Sequence, residues 1–247
     1  MPKNLNKDIA LKFFFIILLL IVNLHSSDIK DDEKSCLNGN HLECYNLGVK
    51  YLNGIDVPKN VSTAMILFRT TCENNISIAC HNAGTLFWDM NDTKYAKIYF
   101  FKSCKGYYMS SCSNLGVIYN NEKNYHDAVN LFELACDGSD LMGCNNLGTM
   151  YVQGNGVPKD YRKAKELFVK ACNKNMAEGC NNLAQIYSEG LGVSKDIEKS
   201  KKLKSKACKF GYTLACKNKT SRTAADWSLE DLIKLRDERR REKNKGK

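Results

Sequence analysis

The chain has 247 residues, 43% hydrophobic and 26% charged, with three prolines and a net charge of +10. This balance excludes collagen-like and wholly disordered chains and fits one sizeable domain or a repeat array. The positive charge reads as spread along the chain except for a basic C-terminus, which argues for weak attraction to anionic surfaces and against a nucleic-acid groove.

In residues 1–27, Lys3, Lys7 and Lys12 precede an unbroken apolar run from Phe13 to Val22, which then meets Asn23, His25, Ser26 and Ser27. This is the layout of a secretory signal. The run falls short of the roughly 20 residues a transmembrane helix needs. No small-x-small pair stands before a cut site, because Leu24 and His25 occupy the places where small residues are wanted. An uncleaved anchor is therefore the alternative to a cleaved signal.

Residues 28–221 are organised by twelve cysteines, a load that fits an oxidising compartment and not the cytosol. They fall in six pairs, Cys36/Cys44, Cys72/Cys80, Cys104/Cys112, Cys136/Cys144, Cys172/Cys180 and Cys208/Cys216, each with seven residues between its members. Pair starts follow one another by 36, 32, 32, 36 and 36 residues, the period of helix-turn-helix solenoids. After the second cysteine of a pair come an asparagine at +2 (Asn46, Asn82, Asn114, Asn146, Asn182) and a small residue at +4 (Gly48, Gly84, Gly116, Gly148, Ala184). An aromatic follows at +7 (Tyr51, Phe87, Tyr119, Tyr151, Tyr187). Spacings of three and four place these on one helical face, and the small residue admits a neighbouring helix.

Three units continue with Y-x-x-G and then Val-Pro-Lys or Val-Ser-Lys, at Tyr51 to Lys59, Tyr151 to Lys159 and Tyr187 to Lys195. Glycine stops the first helix, and the second begins near Asp or Asn. The two 32-residue units lack four residues here, so tighter turns are expected. The second helix buries Ala64, Leu67 and Phe68 and their counterparts in later units, and it ends at the next cysteine.

Eight steps along one continuous helix separate two Cα atoms by about 12 Å, beyond the roughly 7 Å reach of a disulfide. The chain must turn back within each pair, so a bridge from the end of one helix to the first turn of the next satisfies the geometry. Zinc fits badly, since no C-x-x-C occurs and only His25, His41, His81 and His126 are present; no metal or cofactor is expected. The ends look like capping repeats. Ser200, Lys204 and Thr220 stand in the last unit where Ala, Phe and Gly stand elsewhere, and Asp31, Asp32, Glu33 and Lys34 are expected to face solvent.

With the seven-residue cysteine interval, C-x-N-L-G and Y-x-x-G-x-G-V-P-K-D, Cys36 to Asn218 resembles Sel-one-like repeats, relatives of tetratricopeptide repeats. The form is the disulfide-linked one of the Helicobacter cysteine-rich protein family. The resemblance implies an all-α, right-handed α-solenoid of helix-turn-helix repeats, each stapled by a disulfide, and secreted or periplasmic location. It implies a protein or peptide ligand on the concave side and, for some members, penicillin binding with slow β-lactam hydrolysis, so that β-lactams or cell-wall fragments are alternative ligands. The chain is expected to be a monomer that does not bind nucleic acid and makes at most peripheral membrane contact.

The residues do not show such chemistry. The clearest S-x-x-K string, Ser27 to Lys30, sits at the signal boundary, and Lys219-Thr220-Ser221 only half resembles K-T-G; no catalytic residue is assigned. Asn46, Asn82, Asn114, Asn146 and Asn182 are the candidate peptide-binding residues, because a side-chain amide offers both donor and acceptor to an extended backbone. Their competing role is to cap loops or bond neighbouring helices. Tyr51 and Tyr151 read as core, whereas exposed rings are expected at Phe87-Trp88 and Tyr107-Tyr108. Asn75 and Asn91 open glycosylation sequons in expected turns, each with an acidic residue two places earlier, Glu73 and Asp89; Asn60 and Asn218 lack it. Residues 222–247 leave the repeat: Ser228, Asp231, Leu229, Leu232, Ile233 and Leu235 suggest one amphipathic helix ahead of a basic tail, Arg239-Arg240-Arg241.

Overall fold

The computed structural model describes residues 29–218, and the chain divides into two compact units, Met1–Gly143 and Cys144–Lys247. The expected signal segment, 1–27, and C-terminal helix, 222–247, lie outside the described residues. Helix α1 covers 29–37. It is followed by α2 (His41–Asn53), α3 (Val61–Glu73), α4 (Ser77–Asp89), α5 (Thr93–Lys105), α6 (Met109–Asn121) and α7 (Tyr125–Asp137). Then come α8 (Leu141–Gln153), α9 (Tyr161–Asn173), α10 (Ala177–Glu189), α11 (Ile197–Lys209) and a 3-10 turn, Thr213–Asn218. No strand occurs among the described residues. Consecutive helices pack on one another from α2 through α7 in the first unit, and from α9 through α11 in the second.

Both turn lengths follow from the sequence period. The turns at Gly54–Asn60, Gly154–Asp160 and Gly190–Asp196 have seven residues, whereas Met90–Asp92 and Glu122–Asn124 have three. Those four missing residues are the difference between units of 36 and 32. Asn60, Asp92, Asn124, Asp160 and Asp196 each cap the following helix, their side chains accepting from backbone N–H groups. The two N–H groups donated by Lys163 and Arg162 hold the Asp160 carboxyl below its usual pKa.

The three-residue turns share a conformation not legible in their composition: the middle residue is left-handed. Asn75, Asn91, Tyr107, Lys123, Ser139 and Asn175 have φ between 59° and 68°. Asparagine tolerates this region; tyrosine and lysine adopt it at a cost of about 1 kcal/mol, which the packing on either side must offset.

Within each unit the small residue at +4 meets the phenylalanine of the second helix. A Cβ added at Gly48, Gly84, Gly116 or Gly148 would lie 2.6 to 2.7 Å from a ring carbon of Phe68, Phe100, Phe132 or Phe168. These rings are buried, each worth about 2 to 3 kcal/mol of burial. In the last repeat the pair changes together, with Ala184 in place of glycine and Lys204 in place of phenylalanine. Where no ring presses in, a methyl group fits.

The cysteines adjoin a second close approach, where a Cβ added at Gly143 or Gly179 would meet that of Ala135 or Ala171. The residue before each cysteine from Cys72 to Cys216 is small: Thr71 and Ala79, Ser103 and Ser111, Ala135 and Gly143, Ala171 and Gly179, Ala207 and Ala215. Nine of these ten are buried, all but Ala215. Cys36–Cys44, Cys72–Cys80, Cys104–Cys112, Cys172–Cys180 and Cys208–Cys216 are bridged with Cα–Cα distances of 4.5 to 4.9 Å. Cys136 and Cys144 are disulfide-bonded as well. By the loop-entropy model each bridge contributes about 2 to 3 kcal/mol.

Two expectations are corrected. Asp32 and Glu33 do not face solvent freely: Lys50 Nζ donates to Asp32 at 2.6 Å and Tyr51 donates its hydroxyl to Glu33 at 3.1 Å. The Asp32 hydrogen bond raises the Lys50 pKa, and burial, with Glu33 adding to it, raises that of Tyr51. This first helix is tied to the repeat after it. Nor is charge evenly spread. Residues 29–143 carry 10 Lys and Arg against 13 Asp and Glu, a net −3, whereas residues 144–218 carry 14 against 6, a net +8.

A directional hydrogen-bond chain runs through the middle of the first unit. Ser103 donates to the Ser77 carbonyl at 2.7 Å, Ser111 donates to Ser103 at 2.7 Å, and His81 Nδ1 lies 2.8 Å from the Ser111 hydroxyl. With the Ser111 proton already committed, the Nδ1–H of His81 is the donor. The imidazole packs on Tyr108, ring centroids 4.8 Å apart. Burial lowers its pKa, opposed by the charge of Asp140.

Two outcomes follow. Gly116→Ala should cost roughly 1 to 3 kcal/mol by overpacking in denaturant unfolding, part of which Phe132→Leu should restore in the double variant. Since the unfolded chain protonates His81 more readily than the folded one, stability should be full above the ordinary histidine pKa of about 6.5. It should decline as pH falls through that value toward the lowered folded one. His81→Asn, the residue found at the equivalent positions Asn145 and Asn181, should flatten this part of the profile.

Candidate functional site: the outer strips of the first helices

The asparagines at +2 lie on the side of each first helix turned away from its own second helix. Asn46 is exposed, and Asn82, Asn114, Asn146 and Asn182 are half-buried. Asn46, Asn82, Asn114 and Asn146 make no side-chain hydrogen bond among the described residues. Asn182 differs: its Nδ2 donates to Asn145 Oδ1 at 2.9 Å, so part of its capacity is already used inside the second unit. Asn145 is buried, 6% exposed. Sequence reasoning passed it over because it stands at +1, where other units carry Tyr45, His81 and Ser113.

The helical period adds residues at +5 and +9 to each strip: Val49 and Asn53, Thr85 and Asp89, Val117 and Asn121, Thr149 and Gln153, Gln185 and Glu189. In the second unit these residues line a crevice of about 160 Å³, with Thr149, Gln153, Asn182 and Gln185 as its polar rim and Phe168, Ile186 and Leu191 among its apolar lining. Small-molecule pockets are typically about 300 to 1,000 Å³; this crevice is the size of one side chain. Counting three and seven residues on from each asparagine would have found the rim.

The +7 aromatics are half-buried, and most are covered from the second helix. Tyr95 stacks on Phe87 at 5.0 Å, while Lys163 Nζ lies 5.1 Å from the Tyr151 centroid and Lys199 Nζ 4.0 Å from that of Tyr187. Of the rings expected to be exposed, Tyr107 is 81% and Trp88 37% exposed, whereas Phe87 and Tyr108 are half-buried.

Hydrolytic chemistry needs a serine whose proton is held by a base. His81, Ser111 and Asp140 come near such a grouping, but the Ser111 proton goes to Ser103 and the hydroxyl is buried. Asp140 is occupied as well, accepting from Ser110, from Ser113 and from the Gly143 N–H at 2.6 to 2.9 Å. Ser77 shares a crevice of about 410 Å³ with Glu73, Lys102 and Lys105, yet it donates to the Gly106 carbonyl at 3.1 Å. No serine in either grouping is activated. Ser27, Thr220 and Ser221 lie outside the described residues. Among the described residues no group of three or more His, Cys, Asp or Glu is placed to hold a metal, and no helix is long and apolar enough to cross a membrane.

The Sel1 repeat model matches residues 44–76, 110–140, 141–176 and 177–211. It passes over 77–109, the stretch that holds α4, α5 and the first three-residue turn between helices of one repeat. No curated protein matches the chain. A Sel1 repeat protein from Oxalobacter formigenes is similar over 79% of this chain and 84% of its own, with 20% identity and a TM-score of 0.68. A protective antigen of uropathogenic Escherichia coli displaying an SLR fold is similar over 87% of this chain and 57% of its own, with 20% identity and a TM-score of 0.52. Cysteine-rich protein B of Helicobacter pylori is 34% identical over 50% of this chain and 92% of its own, with a TM-score of 0.42. With more than half its length matched by the repeat model, and its cysteines bridged at the same place in every unit, the chain belongs to the Sel1 repeat family.

Proposed function

We propose that this protein is an exported protein-binding module that holds an extended peptide along the first-helix strips, on the concave face that such repeats form. Asn46, Asn82, Asn114, Asn146 and Asn182 contact the peptide backbone, and the protein acts as a monomer. The single observation that carries this reading is the crevice of the second unit. It is uncharged at its rim, apolar within and sized for one side chain. An amide strip beside it supplies both donors and acceptors, which is what a peptide backbone needs. Membership of a family of interaction scaffolds supports the coarse role, and the six bridged cysteine pairs support an oxidising compartment outside the cytosol. β-Lactam hydrolysis forms no part of the proposal, since Ser77 and Ser111 both donate their protons elsewhere.

Two measurements test it. Protein from its native source, treated with an alkylating reagent before and after reduction, should take up no label at first and twelve labels afterwards; several labels without reductant would place the chain in a reducing compartment. Peptides selected from a random displayed library should bind the wild type and lose about tenfold or more in affinity in Asn146→Ala and Gln185→Ala at unchanged melting temperature. Selected binders indifferent to both substitutions would move the ligand off this strip.

A further inference from the structure

The four Asn-x-Ser/Thr strings do different things in the fold. The Asn60 side chain caps α3, accepting from the Thr63 N–H at 3.0 Å. At Asn75 the string is tied by its serine: Ser77 donates to the Gly106 carbonyl, and its own carbonyl accepts from Ser103. The Asn218 string runs on into Lys219 and Thr220, outside the described residues. Asn91 is left. It is exposed, at the apex of the Met90–Asp92 turn with φ of 59°, and its side-chain amide makes no hydrogen bond among the described residues. The Thr93 hydroxyl makes none either. Helix α5 does not need that hydroxyl as a cap, because Asp92 accepts from the Tyr95 N–H at 3.1 Å. A left-handed turn explains an asparagine at 91; it does not explain a free hydroxyl two residues later.

Two independent observations bear on the same turn. Beside Asp89 and Lys94, its exposed neighbours include three large apolar side chains, with Trp88 37%, Met90 56% and Tyr95 46% exposed, although one face of the Tyr95 ring stacks on Phe87. The bridged cysteines place the chain in the kind of compartment where asparagine is glycosylated on secreted proteins. We infer that Asn91 is an N-glycosylation site, with Thr93 as the hydroxyl its transferase recognises, and that the attached sugar shields the Trp88–Met90 edge. The co-substrate is an oligosaccharide carried on a polyisoprenoid pyrophosphate. The Asn91 amide nitrogen attacks the anomeric carbon, and a C–N bond forms as the bond from that carbon to the pyrophosphate oxygen breaks. The pyrophosphate leaves with the electron pair and the amide yields one proton to the transferase. Access needs only this exposed turn to open, releasing the Asn91 N–H from the Trp88 carbonyl and the Asp92 N–H from the Phe87 carbonyl, a local event of low cost.

The test is the intact mass of full-length protein from its native source, for the wild type and for Asn91→Gly, Thr93→Val and Asn75→Gly. Glycine favours the left-handed turn, so loss of modification in Asn91→Gly is not a folding defect. The expected result is a mass excess of one oligosaccharide that Asn91→Gly and Thr93→Val each abolish and Asn75→Gly keeps. A wild type at its peptide mass, or an excess that survives Asn91→Gly, overturns the assignment.

Discussion

The contact between a glycine on one helix and a phenylalanine ring on the next sets the geometry of the repeat. At Gly48, Gly84, Gly116 and Gly148 the ring lies where a Cβ would stand, so the helices come close enough for the aromatic at +7 and the alanine of the second helix to pack around them. Everything else in the repeat is arranged around that approach. The asparagine two residues before the glycine is turned to the opposite side, away from the ring. A helix has only one narrow face to give to its partner, and here that face is filled by Cys, Leu, Gly and Tyr or Phe. The outward strip is what remains outside that packing.

Much of this was legible in the sequence because each unit repeats the same solution. The cysteine interval of eight could not be spanned within one helix, so it forced a turn, and the turn fixed which helices are neighbours. The loss of four residues in two units could only come from a turn. Other features left no such trace. Tyr107 and Lys123 take left-handed backbone although nothing in their chemistry asks for it; the three-residue connection imposes it, as it does on Asn75 and Asn175. The pairing of Asp32 with Lys50 and of Glu33 with Tyr51 was missed because acidic residues before the first repeat read as a solvated end. Partners eighteen residues away are invisible to local pattern.

The candidate site was half legible. A periodic asparagine is easy to see, but its neighbours on the strip vary: Val49, Thr85, Val117, Thr149 and Gln185 share a position and little chemistry. The glycine and phenylalanine positions vary differently: they are constant in four repeats and change only as a pair, to Ala184 and Lys204, in the last. Asn182 serves its own unit through Asn145 while its side chain still lines the crevice.

The two kinds of turn divide the length of the repeat unequally between its two edges. Between a second helix and the next first helix the connection is three residues in every case, because the disulfide closes a ring of fixed size around it. At the other edge, within a repeat, the connection is three residues or seven, and the helices on either side are the same length in both. All growth and shrinkage of the array is thereby routed to one border. A segment grafted at Gly54–Asn60, Gly154–Asp160 or Gly190–Asp196 would lengthen that border and leave the stapled one in register, which gives the chain one edge that can diversify and one that cannot.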